Sequence, residues 1–336
     1  MPFIIVRDDL TKMHVDAVVN TTNVKLQQGN GGVSGAIFEA AGAEPLREAC
    51  RKIGGCAFGN AVVTPGFNLP AEHIIHTPSM VWINGSNSEE AILRSCYRAC
   101  LQLAANKGYE NIAFPLIGSG AHGYPKQLAL TVATQEINNF LLAYDGDMTV
   151  YLAVFGHRAF ALSKKLADEV HEYIDDHYVD ARPDRRRQLT DADYMISMSF
   201  TEEKVNDFCM TALPESEILI EPSFAQAMTK YIDSHHMTDP DVYKRANITK
   251  QNYYKIKTEK CHPKKSTALA LCLAMELTLQ KTTHFLELAG YALSPSSRPD
   301  LIVRYFIIRE IYNVMEINSV LFDQGFDKHL LGSAEK

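Results

Sequence analysis

Short apolar runs alternate with longer amphipathic stretches through the first 178 residues of the chain. Residues 15–19 form a β-branched, apolar run typical of a buried strand, and a polar turn at residues 20–23 ends it. The same alternation recurs downstream and predicts strands separated by helices. Further strands are predicted at residues 2–6, 61–65, 73–77, 111–116 and 148–155. Helices are predicted at residues 34–41, 44–53, 88–107, 126–142 and 160–177.

Strands that alternate with helices on short connections indicate a layered α/β fold with a largely parallel sheet. Ligands of such sheets lie beyond the carboxyl ends of the strands. Two glycine-rich loops occupy this strand-to-helix position, one at residues 29–35 and one at residues 117–125. Glycine lets backbone N–H groups approach a phosphate, and a helix start adds unpaired donors. One such loop would equally be a tight turn that binds nothing, but two at one sheet edge predict a diphosphate site.

The hydrophobic pattern changes after residue 178. Residues 179–192 are polar and charged, with three consecutive arginines, and are predicted to be a linker. Beyond them helical periodicity replaces the strand signals, which predicts an all-helical region over residues 193–336. Its helices are predicted at residues 201–209, 223–235, 239–246, 249–258, 266–277, 280–289 and 300–322.

Composition narrows the functional classes. A length of 336 residues suits two domains, and the apolar fraction of 46% is ordinary for a soluble globular protein. No run of eighteen apolar residues predicts a membrane span, and acidic residues directly after the apolar N-terminus do not fit a secretory signal. The seven cysteines form no Cys-x-x-Cys pair. We therefore predict a reduced, cytoplasmic protein without a disulfide framework and without membrane partners.

Charge and cysteine spacing bear on partners and metals. Cys96 and Cys100 lie one helical turn apart, but no histidine pair stands nearby at ligand spacing, so core packing is predicted there. Neither a metal nor any other cofactor is predicted. The net charge of −7 argues against wholesale electrostatic binding to nucleic acid. The charge is uneven, however, because residues 244–265 carry eight basic side chains and one acidic side chain.

Four motifs in the first half of the chain match one known family. They are VNTTN at residues 19–23, GNGGVSGAIFEAAG at 29–42, HIIHT at 73–77 and PLIGSGAHGYP at 115–125. With these motifs the chain resembles the macrodomain, an ADP-ribose-binding module. The resemblance covers residues 1–178 and implies a three-layer α/β/α fold with a mixed, largely parallel sheet. It also implies that ADP-ribose, free or attached to a macromolecule, lies in a cleft along the strand ends.

The macrodomain resemblance assigns roles to individual residues. Asp9, beside Leu10, would accept a hydrogen bond from the adenine amino group, unless it only caps a turn. Phe155 would lie against the adenine ring, unless it belongs to the core. Asn23 would bond the distal ribose, and Asn20 ranks below it because Asn20 is expected to bond backbone within its turn. The loop backbone would hold the diphosphate at Gly31, Gly32, Val33, Gly35, Ser119, Gly120, Ala121, His122 and Gly123.

Two positions depart from the family pattern. De-ADP-ribosylating relatives usually carry aspartate after the GGV motif, where this chain has Ser34. Serine cannot act as a carboxylate base near neutral pH, and this hydroxyl is also suited to capping the helix. Relatives commonly place Tyr or Phe where this chain has His122, which can handle a proton or serve as a flat packing surface. Asn23, Ser34 and His122 are the candidate catalytic residues.

Residues 223–291 resemble the five-helix DNA-binding domain of phage-repressor type. The segment VYKRANITKQNYYKIKTEK supplies two short helices and a turn, with Thr249 as the predicted cap of the second. Tyr253 and Tyr254 equally favour a protein-docking face. The DNA interpretation places base contacts at Lys250, Gln251, Asn252 and Lys255, and phosphate contacts at Lys257, Lys260, Lys264 and Lys265.

Three functions therefore stay open for the whole chain. The first is an enzyme that removes mono-ADP-ribose from a modified macromolecule or hydrolyses a related ADP-ribose ester. The second is a binding module that recognises ADP-ribose without cleaving it. The third is a DNA-binding regulator whose macrodomain senses ADP-ribose or a NAD metabolite.

Overall fold

A computed structural model describes residues 2–29, 31–85, 88–154, 164–178 and 221–332. Within the first half, strands alternate with helices as predicted. The strands are β1 (Phe3–Val6), β2 (Ala17–Thr22), β3 (Val62–Pro65), β4 (His73–Pro78), β5 (Asn111–Pro115) and β6 (Thr149–Ala153). The helices are α1 (Gly32–Ala41), α2 (Ala43–Ile53), α3 (Glu89–Lys107), α4 (Lys126–Ala143) and α5 (Lys164–His177).

The six strands form one sheet in the order β1-β6-β5-β2-β4-β3. All neighbours are parallel except β3, which runs antiparallel to β4. The predicted mixed, largely parallel sheet is therefore confirmed. The chain leaves β2 toward β4 and β3 on one side, and leaves β5 toward β6 on the other. The strand order thus reverses between β2 and β5, where open α/β sheets have their ligand crevice.

Helices cover both faces of the sheet, which confirms the three-layer arrangement. Successive side chains of a strand point to opposite faces, so neighbouring residues of β2 enter different cores. Val18 packs in a cluster with Ile37 and Phe38 of α1, while Val19 packs in a second cluster with Tyr97 of α3. The apolar first half of β2, residues 17–19, follows from this burial on both sides.

The second half is helical over all of its described length, as predicted. Its helices are α6 (Phe224–Ser234), α7 (Asp239–Arg245), α8 (Lys250–Lys257), α9 (Lys265–Ala274), α10 (Leu279–Leu288), α11 (Arg298–Ile308) and α12 (Val314–Asp323). The Thr249 side chain accepts a hydrogen bond from the Asn252 N–H, which confirms the predicted cap of α8. The predicted linker at residues 179–192 and the predicted helix at residues 201–209 lie outside the described residues.

The helical half is docked against β1, an edge strand of the sheet. An edge strand presents unpaired N–H and C=O groups. The Asn247 side chain meets both groups of Phe3, accepting from its N–H at 2.6 Å and donating to its C=O at 2.9 Å. Arg7 donates to the Phe322 carbonyl at 2.9 Å and pairs with Asp327 at 3.1 Å. Apolar residues of both halves form one continuous buried cluster.

Candidate functional site

A cavity of about 370 Å³ lies between the two glycine-rich loops, beyond the carboxyl ends of β2 and β5. These are the neighbouring strands at which the strand order reverses. The topology therefore brings together two segments that are about 90 residues apart in the sequence. The lining consists of Thr21, Thr22, Asn23, Gln27, Gly29, Gly31, Gly32, Val33, Ser34, Pro115, Leu116, Gly118, Gly120, Ala121 and His122.

Asn23 organises the turn that follows β2. Its Oδ1 accepts hydrogen bonds from the Lys25 N–H at 3.0 Å and the Gln27 N–H at 3.2 Å. Leu26 adopts a left-handed conformation, and its side chain is buried beneath the turn. Two backbone donors therefore fix the oxygen of the Asn23 amide. The NH2 group has no partner among the described residues and is the donor that Asn23 can offer to a ligand.

Asn20 has a different role from the one expected. It is fully buried and does not line the cavity. Its amide nitrogen lies 3.1 Å from His76 Nδ1, and His76 Nε2 lies 2.9 Å from the Thr64 hydroxyl. The prediction that Asn20 bonds backbone within its turn is wrong, since Asn23 does so instead. Nor does the position of Asn20 support the predicted direct contact with a ligand.

His76 stays neutral within this buried chain of hydrogen bonds. Burial lowers its pKa from 6.5 to about 4, because an imidazolium in the apolar sheet would lose its hydration. Asn20 offers an N–H to Nδ1, so Nε2 carries the ring hydrogen and donates to the Thr64 hydroxyl. The three side chains thus tie β2, β4 and β3 together under the cavity.

Helix α1 begins at the wall of the cavity. Gly31 stands at its N-cap with a φ of 126°, and Gly32 follows with a φ of 61°. Both values lie in the left-handed region, which glycine adopts without strain. No side chain caps this helix start. Its first N–H groups and its positive dipole end are therefore available to an anion.

Ser34 lines the cavity, whereas the neighbouring Gly35 does not. Ser34 lines it and is only 8% exposed, and its hydroxyl accepts a hydrogen bond from the Gly29 N–H at 3.3 Å. The helix-cap alternative is wrong in detail, because Gly31 holds the cap position and Ser34 instead closes the loop. The Gly35 N–H is bonded to the Gly31 carbonyl, and Gly35 lines an adjoining outer cavity that shares Gly31 and Gly32 with this one. The structure therefore does not support a diphosphate contact at Gly35.

The second glycine loop uses some of its N–H groups within its own turns. Ser119 N–H donates to the Leu116 carbonyl at 3.3 Å, and Gly123 N–H donates to the Gly120 carbonyl at 3.0 Å. Neither Ser119 nor Gly123 lines the cavity, so their predicted ligand contacts are not supported. Gly120, Ala121 and His122 do line it. Gly29 and Gly118 also line it and were not assigned from the sequence, although both lie inside the two loops. Gln27, in the turn before the first glycine loop, lines it as well and was not assigned.

Gly118 must be glycine for a steric reason. Its φ is 82°, and a Cβ at this position would come within 2.9 Å of the Tyr124 ring. Tyr124 is buried and its ring lies 4.6 Å from that of Trp82. The glycine therefore allows the loop to close over an aromatic cluster.

His122 is held by the segment that follows β4. Its Nδ1 lies 2.6 Å from the Ser79 hydroxyl, and its carbonyl accepts the Trp82 N–H at 2.8 Å. The ring is half-buried, and this burial lowers the pKa of His122 below its ordinary value, which favours the neutral imidazole. Ser79 and Trp82 were not predicted from the sequence, although both follow the end of β4, where site residues are expected.

Asp9 caps a turn, which was the alternative to its predicted contact with adenine. Its Oδ1 accepts hydrogen bonds from the Thr11 hydroxyl at 2.7 Å and the Thr11 N–H at 3.0 Å, which start a short 3-10 helix at Leu10–Lys12. These hydrogen bonds lower the pKa of Asp9. The Leu10 side chain is buried against α1. The predicted adenine contact at Asp9 stays a prediction, and Phe155 lies outside the described residues.

The predicted DNA-contact residues lie on and after α8. Lys250, Gln251 and Lys255 are exposed, and Asn252 is half-buried. Two lysines predicted to approach phosphates are paired with acids: Lys257 with Asp239 at 2.7 Å and Lys265 with Asp300 at 2.5 Å. Tyr253 is buried and only Tyr254 is exposed, so the predicted aromatic docking face is reduced to one ring.

The clustering of possible ligand side chains and the lengths of the helices bear on metal binding and on membrane insertion. No group of three or more His, Cys, Asp or Glu side chains that could hold a metal ion occurs in the part of the chain that the structure describes. Cys96 and Cys100 are buried in the core, which confirms their predicted packing role, and burial raises the pKa of both thiols. Within the described ranges, no helix is both long and apolar enough to span a membrane.

Comparison with known proteins identifies the first half. The family model for the Macro domain matches residues 19–133. The chain is 44% identical over 166 residues to an O-acetyl-ADP-ribose deacetylase of Enterobacter cloacae, covering 48% of this chain and 91% of that protein. It is 41% identical over 162 residues to a macro domain-containing protein of Methanosarcina mazei, covering 48% and 86%.

Among solved structures, the Oceanobacillus iheyensis macrodomain with ADP is 34% identical, with a TM-score of 0.45 and coverage of 50% of this chain and 90% of that one. The family match ends at residue 133. The resemblance of residues 223–291 to a phage-repressor domain therefore stays a prediction. From its identity to relatives that it covers almost completely, the chain belongs to the macrodomain family.

Proposed function

We propose that this chain binds ADP-ribose in the cavity between its two glycine loops and hydrolyses an ester or glycosidic bond at the distal ribose. One observation carries the proposal. The uncapped start of α1 and the second glycine loop line the same cavity, beyond the ends of β2 and β5, where the strand order reverses. The relative named O-acetyl-ADP-ribose deacetylase, at 44% identity, supports an ADP-ribose ester as substrate.

The diphosphate would lie between the loops. Backbone N–H groups of Gly32 and Val33 stand at the start of α1, and those of Gly120 and Ala121 come from the opposite wall. Helix N-termini favour anions because unpaired N–H groups and the helix dipole act together. The described lining contains no lysine or arginine, so backbone donors would carry this recognition.

The distal ribose would lie between Asn23 and His122. The NH2 group of Asn23 is a donor directed by its own turn, and His122 lines the cavity from the opposite loop. Both groups are neutral near pH 7. They can position hydroxyl groups and a water molecule without adding charge next to the diphosphate.

The lining limits how hydrolysis can proceed. It contains no Asp or Glu among the described residues, so no carboxylate there can act as general base. Ser34 cannot take that role near neutral pH. Catalysis would therefore depend on positioning water against the reacting carbon and on hydrogen bonds that stabilise developing charge. The same lack of a carboxylate favours the alternative of a non-catalytic ADP-ribose reader.

One set of measurements separates enzyme from reader. Full-length protein is titrated with ADP-ribose in a calorimeter, and is incubated with O-acetyl-ADP-ribose and with acidic-residue, arginine, serine and nucleic-acid linked ADP-ribose. We expect saturable binding and release from the ester. Binding of ADP-ribose without release from any substrate would instead support the non-catalytic ADP-ribose reader. Absence of binding would refute the proposal altogether.

For the helical half we propose a structural role, packed against the first half, rather than recognition of DNA. The turn before α8 is buried against β1, with Ala246, Asn247 and Ile248 at most 1% exposed. Lys244, just before it, contacts Leu142 and Asp145 of the first half. This contact uses one of the basic side chains behind the local positive charge.

A further inference from the structure

Ser79 and His122 form a hydrogen-bonded pair at the wall of the cavity. Ser79 follows the carboxyl end of β4, and its Oγ lies 2.6 Å from His122 Nδ1. The same segment fixes the backbone, because the Trp82 N–H donates to the His122 carbonyl. Both the ring and the main chain of His122 are thus held from one side, and His122 lines the cavity.

The direction of this hydrogen bond follows from the burial of the Ser79 hydroxyl. Ser79 is 4% exposed, so its hydroxyl hydrogen is shielded from water and requires an acceptor inside the protein. His122 Nδ1 is the hydrogen-bond partner that the described residues provide for it. Ser79 therefore donates and Nδ1 accepts, which leaves the ring hydrogen on Nε2.

We propose that Ser79 fixes His122 as the Nε2–H tautomer, so that His122 donates a hydrogen bond from the cavity wall to an oxygen of the distal ribose. The proposal rests on the proposed function in that ADP-ribose is the ligand. Ser79 is a positioning residue, since it acts through the ring.

The pair also restricts the chemistry of His122. Its Nδ1 lone pair is occupied by the Ser79 hydroxyl, and its Nε2 carries a hydrogen. The neutral ring then has no free lone pair with which to take a proton from water. His122 is therefore a hydrogen-bond donor that selects for an oxygen acceptor on the ligand, and it is not a general base.

The tautomer is tested on the full chain labelled with ¹⁵N-histidine, by long-range ¹H–¹⁵N correlation spectra at pH 7.5. The His122 signals are assigned by their loss in His122→Phe. We expect an unprotonated Nδ1 and a protonated Nε2 in the wild type, and a mixture of tautomers in Ser79→Ala. A wild-type ring with its hydrogen on Nδ1 overturns the proposal, even if Ser79→Ala does not fold. An unchanged tautomer in folded Ser79→Ala overturns it too.

The ligand contact is tested by calorimetric titration with ADP-ribose and with ADP, which lacks the distal ribose. We expect Ser79→Ala to weaken ADP-ribose binding roughly three- to tenfold, the loss of one neutral hydrogen bond, and to leave ADP binding unchanged. Equal losses for both ligands, or no loss for either, overturn the ribose contact.

The matched control is Ser319→Ala in α12. Ser319 is also buried, and its hydroxyl bonds the Met315 carbonyl, far along the chain from the glycine loops. We expect this variant to bind both ligands like the wild type. If the wild type binds neither ligand, the proposed function fails, while the histidine spectra still decide the tautomer.

Discussion

The side-chain amide of Asn247 pairs with both backbone groups of Phe3, at 2.6 Å to its N–H and 2.9 Å to its C=O. Phe3 lies on an edge strand whose other side pairs with β6, so Asn247 takes the place of a further strand. Asn247 is fully buried and has a φ of 56°. One residue therefore satisfies both outward-facing backbone groups of Phe3 and lies in the turn between α7 and α8.

Replacement of Asn247 tests how much this contact stabilises the chain. Asn247→Ala leaves the Phe3 N–H and C=O buried without partners and puts a Cβ in the left-handed region without a polar side chain. We expect a loss of about 2–4 kcal/mol in the free energy of unfolding, measured by urea denaturation. Asn247→Gly also loses the hydrogen bonds, but glycine adopts the left-handed conformation without strain. We therefore expect Asn247→Gly to be about 1 kcal/mol more stable than Asn247→Ala. Wild-type stability in Asn247→Gly would contradict the role given to the amide.

His76 predicts a dependence of stability on pH. Its pKa is lowered from 6.5 to about 4, so below pH 6.5 the unfolded chain takes up a proton that the folded chain does not. Stability contributed by the neutral ring is thus present above pH 6.5 and is lost as the pH falls toward 4. The full shift corresponds to roughly 3 kcal/mol.

The measurement is the free energy of unfolding between pH 4 and pH 7. His76→Leu should be less stable than the wild type at pH 7, because Asn20 and Thr64 lose their partner, but its stability should fall less with acid. His14→Leu, at an exposed histidine, is the control and should keep the wild-type slope. An equal slope in His76→Leu would show that the acid sensitivity has another source.

Asn23 separates the turn from the ligand contact. Asn23→Asp keeps a side-chain oxygen for the Lys25 and Gln27 N–H groups but has no NH2 donor, and it brings a negative charge toward the proposed diphosphate. We expect near wild-type stability and at least about tenfold weaker ADP-ribose binding, a cost of about 1.4 kcal/mol. Asn23→Ala should lose both stability and binding. Tight binding by Asn23→Asp would place the ribose elsewhere.

The buried turn before α8 predicts no specific DNA binding. Lys250 and Lys255 are exposed on α8 and are the residues that a groove contact would need. We expect the double variant Lys250→Glu with Lys255→Glu to be retained on a DNA column like the wild type at every salt concentration. Loss of a salt-sensitive retention in the double variant would instead restore the DNA-regulator interpretation.

Several parts of the site followed from local sequence because they depend on local chemistry. Glycine at positions 31 and 32 is required by left-handed backbone angles, and both residues stand at the start of α1, inside a glycine cluster that the sequence itself displays. The Thr249 cap likewise depends on a residue three positions away. By contrast, Asn20 and Asn23 are three residues apart in one polar turn, and sequence alone assigned the backbone-bonding role to the wrong one. Their roles are decided by His76, more than 50 residues downstream.

The alternating α/β half, its two glycine loops, the helical second half and the family could all be predicted from the sequence. These properties follow from the hydrophobic periodicity and from short motifs, both of which depend on residues that are close together in the sequence. The three-dimensional fold was needed to show which amides remain available at the cavity, that Ser79 holds the His122 ring, and that Asn247 bonds Phe3 at the edge of the sheet. Such contacts join residues 43 and 244 positions apart, and they arise from the order of the strands and the docking of the two halves.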